Sequence, residues 1–246
     1  MSFITLTGVR LFAVGTDLTG ASNKVEISGE FEEKDRTTYG SNGWKEVTAG
    51  LGSAELTGEG FWEAGADNSY VDNASWAALG GTGPWSAGPV GASVGDLAYF
   101  LKALRADYNF GGQVGDLAPW KGKASSTWPL VRGQFGHPPG TARTSSGTGT
   151  GVQLGAVASG RRLYAALHVL GASGTTPTLN VVVESDNSNS FPSPVTQLTF
   201  TQANAIGGEI LRTDGTAITD DWHRVKWTIG GTTPSFLFAV AFGIQA

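Results

Sequence analysis

The chain has 246 residues, 40% of them hydrophobic and 15% charged, with 37 glycines, no cysteine and a formal net charge of −5. A chain of this length buries about 70–75% of its unfolded surface without covalent staples, and the lack of cysteine excludes disulfides and thiolate chemistry. Its acidity argues against a protein that grips nucleic acid, whose footprint is basic.

No stretch approaches eighteen apolar residues, so no membrane span is expected. The N-terminal Met-Ser-Phe-Ile-Thr lacks a basic region followed by an apolar run, so no signal peptide is expected either. Glycine stands at about twice its usual share, which suits short strands joined by tight turns. A free monomer normally carries more charge to stay soluble, so the few charges suggest surfaces that end up buried in an assembly. Residues 1–118 hold 15 Asp/Glu and 7 Lys/Arg, net −8, against 6 and 9, net +3, in residues 119–246.

In chain order, Lys24 to Glu33 alternates. Val25, Ile27, Gly29 and Phe31 face one way; Lys24, Glu26, Ser28, Glu30 and Glu32 face the other, as in a strand with one wet face. A polar loop, Lys34 to Gly43, closes on Asn42-Gly43, after which Trp44–Thr48 and then Ser53–Trp62 read as strands. Gly65 to Gly91 is too long for a bland connection and is expected to be functional, mobile or ordered by a partner. Leu97, Leu101, Leu104 and Tyr108 are spaced as on a helix, which predicts one over 96–108. Against this, Val94-Gly-Asp-Leu-Ala98 recurs as Val114-Gly-Asp-Leu-Ala118, as if marking equivalent positions on neighbouring strands. Gly133 to Gly151 reads as a linker or inter-subunit arm. Beyond it the expected strands are Val152–Val157, Leu163–Leu170, Leu179–Glu184, Val195–Thr201, Arg224–Ile229 and Ser235–Ile244, the last apolar on both faces.

The sequence therefore predicts a mainly β fold, a β-sandwich or partly closed barrel with at most one or two short helices, in one or two β domains. The expected division is a β domain over 1–118, a Gly/Pro/Ser-rich linker or arm over 119–151 and a C-terminal β-sandwich over 152–246. Motifs that carry chemistry are not found. Histidine occurs at 137, 168 and 223 without a second ligand at metal spacing. Gly147-Thr-Gly-Thr-Gly151 lacks the Lys-Ser/Thr of a phosphate loop, and Asp186-Asn-Ser-Asn189 lacks the glycine and glutamate of a calcium loop. Glu30, Glu32, Glu33 and Asp35 read as a wet strand face rather than catalytic carboxylates, and the eight tryptophans as core, turn or interface residues rather than a sugar platform. No catalytic, cofactor or metal residue is expected, and no enzyme.

The passage from Asp17-Leu-Thr-Gly through Asn23-Lys-Val-Glu-Ile and Lys34-Asp-Arg-Thr-Thr-Tyr-Gly-Ser-Asn-Gly-Trp to Gly60 resembles the opening of tail tube proteins of long-tailed phages, those of actinobacterial phages above all. The resemblance continues through both Gly-Asp-Leu-Ala copies, Thr178 to Phe200 and Asp220 to Ile244, about two-thirds of the chain. It implies a major tail tube subunit that self-assembles into stacked rings, hexameric or trimeric and pseudo-hexameric. The rings would form around a tape-measure protein, meet terminator and distal tail proteins, and let DNA pass without specific binding. The virion is its expected place, after assembly in the host cytoplasm. The inter-ring loop maps onto Lys34, Asp35, Arg36, Thr37, Thr38, Tyr39, Gly40, Ser41, Asn42 and Gly43, and the acidic lumen onto Glu26, Glu30 and Glu32. The length departs from one compact tube domain, so the C-terminal half is a second tube-like domain or a decoration. The alternatives are another virion part, distal tail or capsid-decorating, or a carbohydrate-binding β-sandwich; an unannotated hydrolase stands behind both.

Overall fold

The computed structural model describes residues 5–65 and 70–246. The N-terminal residues read above for a signal peptide, and part of the Gly65–Gly91 excursion, lie outside the described residues.

The first half contributes β1 (Arg10–Ala13), β2 (Thr16–Asp17), β3 (Ser22–Asp35), β4 (Val47–Phe61), helix α1 (Val71–Ala78), β5 (Thr82–Gly88) and β6 (Leu97–Arg105). Then come β7 (Pro119–Ser126), β8 (Val131–His137), β9 (Gly147–Thr148), β10 (Val152–Gln153), β11 (Arg162–Asp186), β12 (Val195–Thr199), β13 (Gly207–Arg212) and β14 (Trp222–Gln245). The fold is mainly β with one short α-helix among the described residues, and its strands form one continuous sheet that does not close into a barrel.

The main path runs β12-β11-β14-β8-β6-β5-β1-β2, and all the pairings are antiparallel. It forks at β6. The first half of β6 pairs with β8, and its last residues, Ala103–Arg105, pair with β7, which leads on to β4 and β3. A strand held on both sides needs apolar residues on both faces, and Ala98, Phe100, Leu101 and Ala103 of β6 are all buried. The helix expected over 96–108 is thus a central strand: sheet position overrides the helical spacing of its leucines. The two Gly-Asp-Leu-Ala copies are turns that launch neighbouring strands. Gly95 (φ 89°) precedes β6 and Gly115 (φ 99°) precedes β7, and β6 and β7 pair. Within 119–151, read as linker, β7 and β8 are sheet strands that tie the two halves together.

In the C-terminal half two pairs of expected strands are continuous. β11 covers 25 residues and β14 covers 24, paired almost throughout. Both strands break register near their middle, and each does so at the same tetrapeptide, Gly-Thr-Thr-Pro, at 174–177 and 231–234. There Gly174 (φ 115°) and Thr176 (φ 47°) mirror Gly231 (φ 110°) and Thr233 (φ 48°). A Cβ on either glycine would come within 2.7 Å of a carbonyl oxygen of the opposite tetrapeptide, so glycine is required. The paired bulges turn the ribbon back on itself. Leu179, Val181 and Val183 beyond one corner then share a core with Leu163, Leu167 and Val169 before it, and with Phe236, Phe238 and Val240. The result is a sandwich whose two layers are halves of the same two strands, flanked by β13 and β8 on one layer and by β12, β9 and β10 on the other.

A second core lies under β1, β4, β5, β6 and β7, around Leu11, Leu56, Trp85, Leu101 and Trp120. A third joins the halves through Phe12, Phe100, Phe135, Tyr164 and Ala241. His168 of β11 lies fully buried at this seam, its Nε2 2.8 Å from Ser86 Oγ and its Nδ1 accepting a long bond from the Gly15 amide at 3.4 Å.

Candidate assembly surface

The alternation of β3 builds two unlike faces. On one, Val25 and Ile27 are half-buried above Leu11, Leu56 and Trp120. From Ser28 onward, however, both faces of β3 are exposed, because the strand has left the body. β4 pairs with β7 over Glu55–Phe61 only, and β3 pairs with no strand but β4 among the described residues. Residues 29–35 and 47–53 therefore project as a two-stranded arm with both edges open. Six residue steps at about 3.4 Å each make it about 20 Å long before the tip. Exposed on it are Phe31 (71%), Trp44 (81%), Leu51 (82%) and, wholly, Tyr39.

The tip is ordered by its own hydrogen bonds. The Asp35 carboxylate accepts from the Thr37 amide at 2.8 Å, which holds its pKa below the usual carboxylate value, and the Glu46 amide donates to Thr37 Oγ1 at 2.9 Å. Thr38 and Ser41 bond reciprocally around a single 3-10 turn, Tyr39–Ser41. Asn42 (φ 49°) and Gly43 (φ 83°) supply the left-handed pair that reverses the chain, and Arg36 pairs with Glu46 at 3.2 Å. Of the residues read as an inter-ring loop, Lys34 and Asp35 end β3, and Arg36 to Gly43 form this tip. Trp44 to Glu46 complete the tip and are not strand; β4 starts at Val47 and runs unbroken through what the sequence suggested were two strands.

Glu26, Glu30 and Glu32 do share a face, but it is a mixed one. The register sets Lys24 opposite Glu59, and Glu59 opposite Lys121. Lys24 bridges to Glu26 at 2.8 Å and to Glu59 at 3.7 Å, Lys121 to Glu59 at 2.8 Å, Lys123 to Glu55 and Lys34 to Glu32. The lysine hydrogen bonds hold the Glu55 and Glu59 carboxyls below their ordinary pKa and raise Lys24 and Lys121. Reading β3 alone missed the lysines of β7, two residues apart at 121 and 123, because they sit in the range taken for a linker.

Beneath the arm root, on the apolar face, lies a groove of about 460 Å³ lined by Phe31, Gly52, Trp128, Pro129, Leu130 and Gln245 among others. Trp128 lies between two cations, Lys102 Nζ at 4.6 Å and the Arg212 guanidinium at 4.3 Å from its ring centre. A separate aromatic cluster joins α1 to the 106–118 loop, with ring contacts running Phe110–Trp62–Tyr108–Trp76 and Tyr108 donating to Asp72 at 2.6 Å.

The remaining motifs have structural duties. His137 stacks on Phe238 at 4.0 Å, with Nδ1 donating to the Phe238 carbonyl. The glycine run 147–151 edges β14, with Gly147 against the Trp227 ring. Asp186 ends a turn by accepting the Ser188 and Ser193 amides. Among the described residues no cluster of three or more His, Cys, Asp or Glu is placed to hold a metal ion.

No family model matches the chain, and no curated protein matches it. Among solved structures, it is similar to a chain of the virion of a native gene transfer agent particle (18% identity, 46% of this chain and 84% of that one, TM-score 0.38). It is also similar to a chain of the tail of an empty gene transfer agent particle of C6 symmetry (20% identity, 50% and 91%, TM-score 0.40). A third is the Dit protein of phage SPP1, described as a hub adsorption apparatus of phages infecting Gram-positive bacteria (12% identity, 97% and 99%, TM-score 0.33). Likeness of this degree assigns neither a residue role nor an assembly to this chain.

Proposed function

We propose that this protein is a structural subunit of a phage tail, specifically the tube-forming one. Its copies close into rings, hexameric or trimeric and pseudo-hexameric, that stack into a conduit for the genome. The observation that carries this reading is the β3–β4 arm. An isolated two-stranded ribbon is at best marginally stable in water, and open strand edges invite pairing. Here such a ribbon runs about 20 Å past the last β4–β7 pair, its root beside the β7–β8 turn and its outer part open, with Phe31, Tyr39, Trp44 and Leu51 exposed. A second copy of the chain covers these groups in a stacked array. On this reading the tape-measure, terminator and distal tail proteins are partners at the axis and the two ends of the tube.

Light scattering after size exclusion tests it. Species of at least three subunits at high concentration, with rings or tubes in negative stain, are expected; a monomer at every concentration with no tubes overturns it. The second reading is a sugar-binding β-sandwich, favoured by the half-exposed Trp62–Trp76–Tyr108–Phe110 cluster. Glycan-array binding by a monomeric protein would select it. Discs or caps in place of tubes would select a distal tail or capsid-decorating role.

A further inference from the structure

We propose that the small space between helix α1 and strands β5 and β6 is a binding site for one monatomic anion, chloride in solution, held by Arg105, Trp85 and Ser75. The site lies in the body of the subunit, so it stands or falls apart from the tube reading.

The space, about 10 Å³, has room for a single small occupant. Arg105 ends β6, Trp85 lies in β5 and Ser75 in α1, and all three line it. Arg105 is 2% exposed and Trp85 1%. Neither Arg105 Nη2 nor Trp85 Nε1 has an acceptor among the described residues, and both atoms are sealed from solvent. Ser75 Oγ accepts from Trp120 Nε1 at 3.2 Å, which leaves its own hydrogen as a third donor. A buried donor without an acceptor is costly, and here three border one space.

The rest of the wall, Ala13, Leu18, Ala74 and Ala78, carries only apolar side chains. A water needs partners for its own hydrogens as well as for its lone pairs, and these walls accept nothing. An anion accepts all three bonds and donates none.

Charge selects the same occupant. Arg105 Nε donates to the Asp107 carbonyl at 2.8 Å, and the Asp107 carboxylate, on a partly exposed side chain, lies 3.4 Å from it. Burial pushes the guanidinium down from its ordinary pKa, and the Asp107 charge opposes that shift. A buried cation needs its charge compensated at close range, and an anion on Nη2 adds to what Asp107 supplies. The ion also ties α1 to the sheet. Ser75 is one of the helix's two buried residues, and Gly80 and Gly81 behind the helix bond to the Arg105 carbonyl and amide at 2.8 and 3.1 Å.

The test begins with wild-type crystals grown with bromide in place of chloride. An anomalous peak within hydrogen-bond reach of Arg105 Nη2 and Trp85 Nε1 is expected. In parallel the thermal midpoint is followed in chloride, with ionic strength held by methanesulfonate, which is too large to enter. From about 3 mM to about 300 mM chloride the wild-type midpoint should rise by about 5 °C. Arg105→Gln and Ser75→Ala should each lose most of that rise, and Ser75→Ala is the milder change should Arg105→Gln fail to fold. A wild-type crystal without a bromide signal in the space overturns the site, even if a water is found there. A chloride-dependent rise that Ser75→Ala keeps in full overturns it as well. Neither result touches the tube reading.

Discussion

The three histidines illustrate what burial does to a titratable side chain. His168 is held down to about pKa 3, and His137 and His223 to about 4, in each case chiefly by desolvation. For His137 the Phe238 carbonyl opposes that shift and Arg143 adds to it; for His223 the Asp221 backbone and the Asp220 and Asp221 charges oppose it. Each pKa is lower folded than unfolded, where it is near 6.5. The unfolded chain therefore binds more protons, and stability is lost as pH falls from about 6.5 toward 4, and toward 3 for His168. The expected outcome is a urea midpoint that drops between pH 7.5 and pH 5. His223, whose ring nitrogens make no well-formed hydrogen bond among the described residues although the Asp221 backbone lies close, is the side chain to replace. His223→Leu should keep or raise stability at neutral pH and flatten the fall below pH 6.5, by an amount on the order of a few kcal/mol at pH 4; an unchanged slope would assign the acid sensitivity to other groups.

At the scale of elements, the corners and the arm make opposite demands. Gly174→Ala and Gly231→Ala each push a Cβ into the opposite tetrapeptide at a left-handed backbone position. Each should cost about 1–3 kcal/mol in a denaturation midpoint. Deleting Arg36 to Ser41 removes only exposed or self-contained tip contacts. It should leave the unfolding midpoint of the body within about 0.5 kcal/mol while abolishing tube elongation in micrographs; tubes of normal length would place the stacking contacts elsewhere. The elements that were legible in the sequence are those whose physics is local. The alternation Lys24–Glu33, the Asn42-Gly43 reversal and the apolar run Phe236–Ile244 each decide their own conformation. What was not legible depends on neighbours far along the chain. The β6 leucines have helical spacing and become strand because β5 and β8 grip both edges. β11 and β14 read as four strands because the Gly-Thr-Thr-Pro segments look like turns, and only their mutual pairing makes them corners. The arm itself was visible as a loop, but its projection was not, since nothing in β3 says where its partner β7 stops.

For the whole molecule, the charge asymmetry between the sequence halves shrinks once β7 is placed. Lys121 and Lys123 belong to the C-terminal half by position and to the arm-root face by structure, where the carboxylates of Glu26, Glu32, Glu55 and Glu59 pair with four ammonium groups and Glu30 takes the Ser53 hydroxyl. An inner wall built from this face is close to neutral. The replacement of Glu26, Glu30 and Glu32 by glutamine should then leave Lys34 without its partner and Lys24 with Glu59 alone, and make that face basic. Tubes should still form, and they should retain DNA in low salt, with release above about 0.5 M salt as the Debye length falls below about 5 Å; wild-type tubes should not retain it. Failure of the triple variant to form tubes would instead make these residues contact charges.

The two long strands have a further consequence for how the molecule opens. Neither layer of the C-terminal sandwich owns its strands: each layer is one half of β11 laid against one half of β14, continuous with the other layer through the corners. A layer cannot fray by itself without pulling on the ladder of its counterpart. Native-state hydrogen exchange should therefore show the amides of Leu163–Val169, Val181–Val183, Val225–Trp227 and Phe238–Phe242 exchanging through one shared opening at one free energy. The arm amides beyond Ser28 should exchange far faster in the free subunit and become protected only once a neighbouring copy has closed over them.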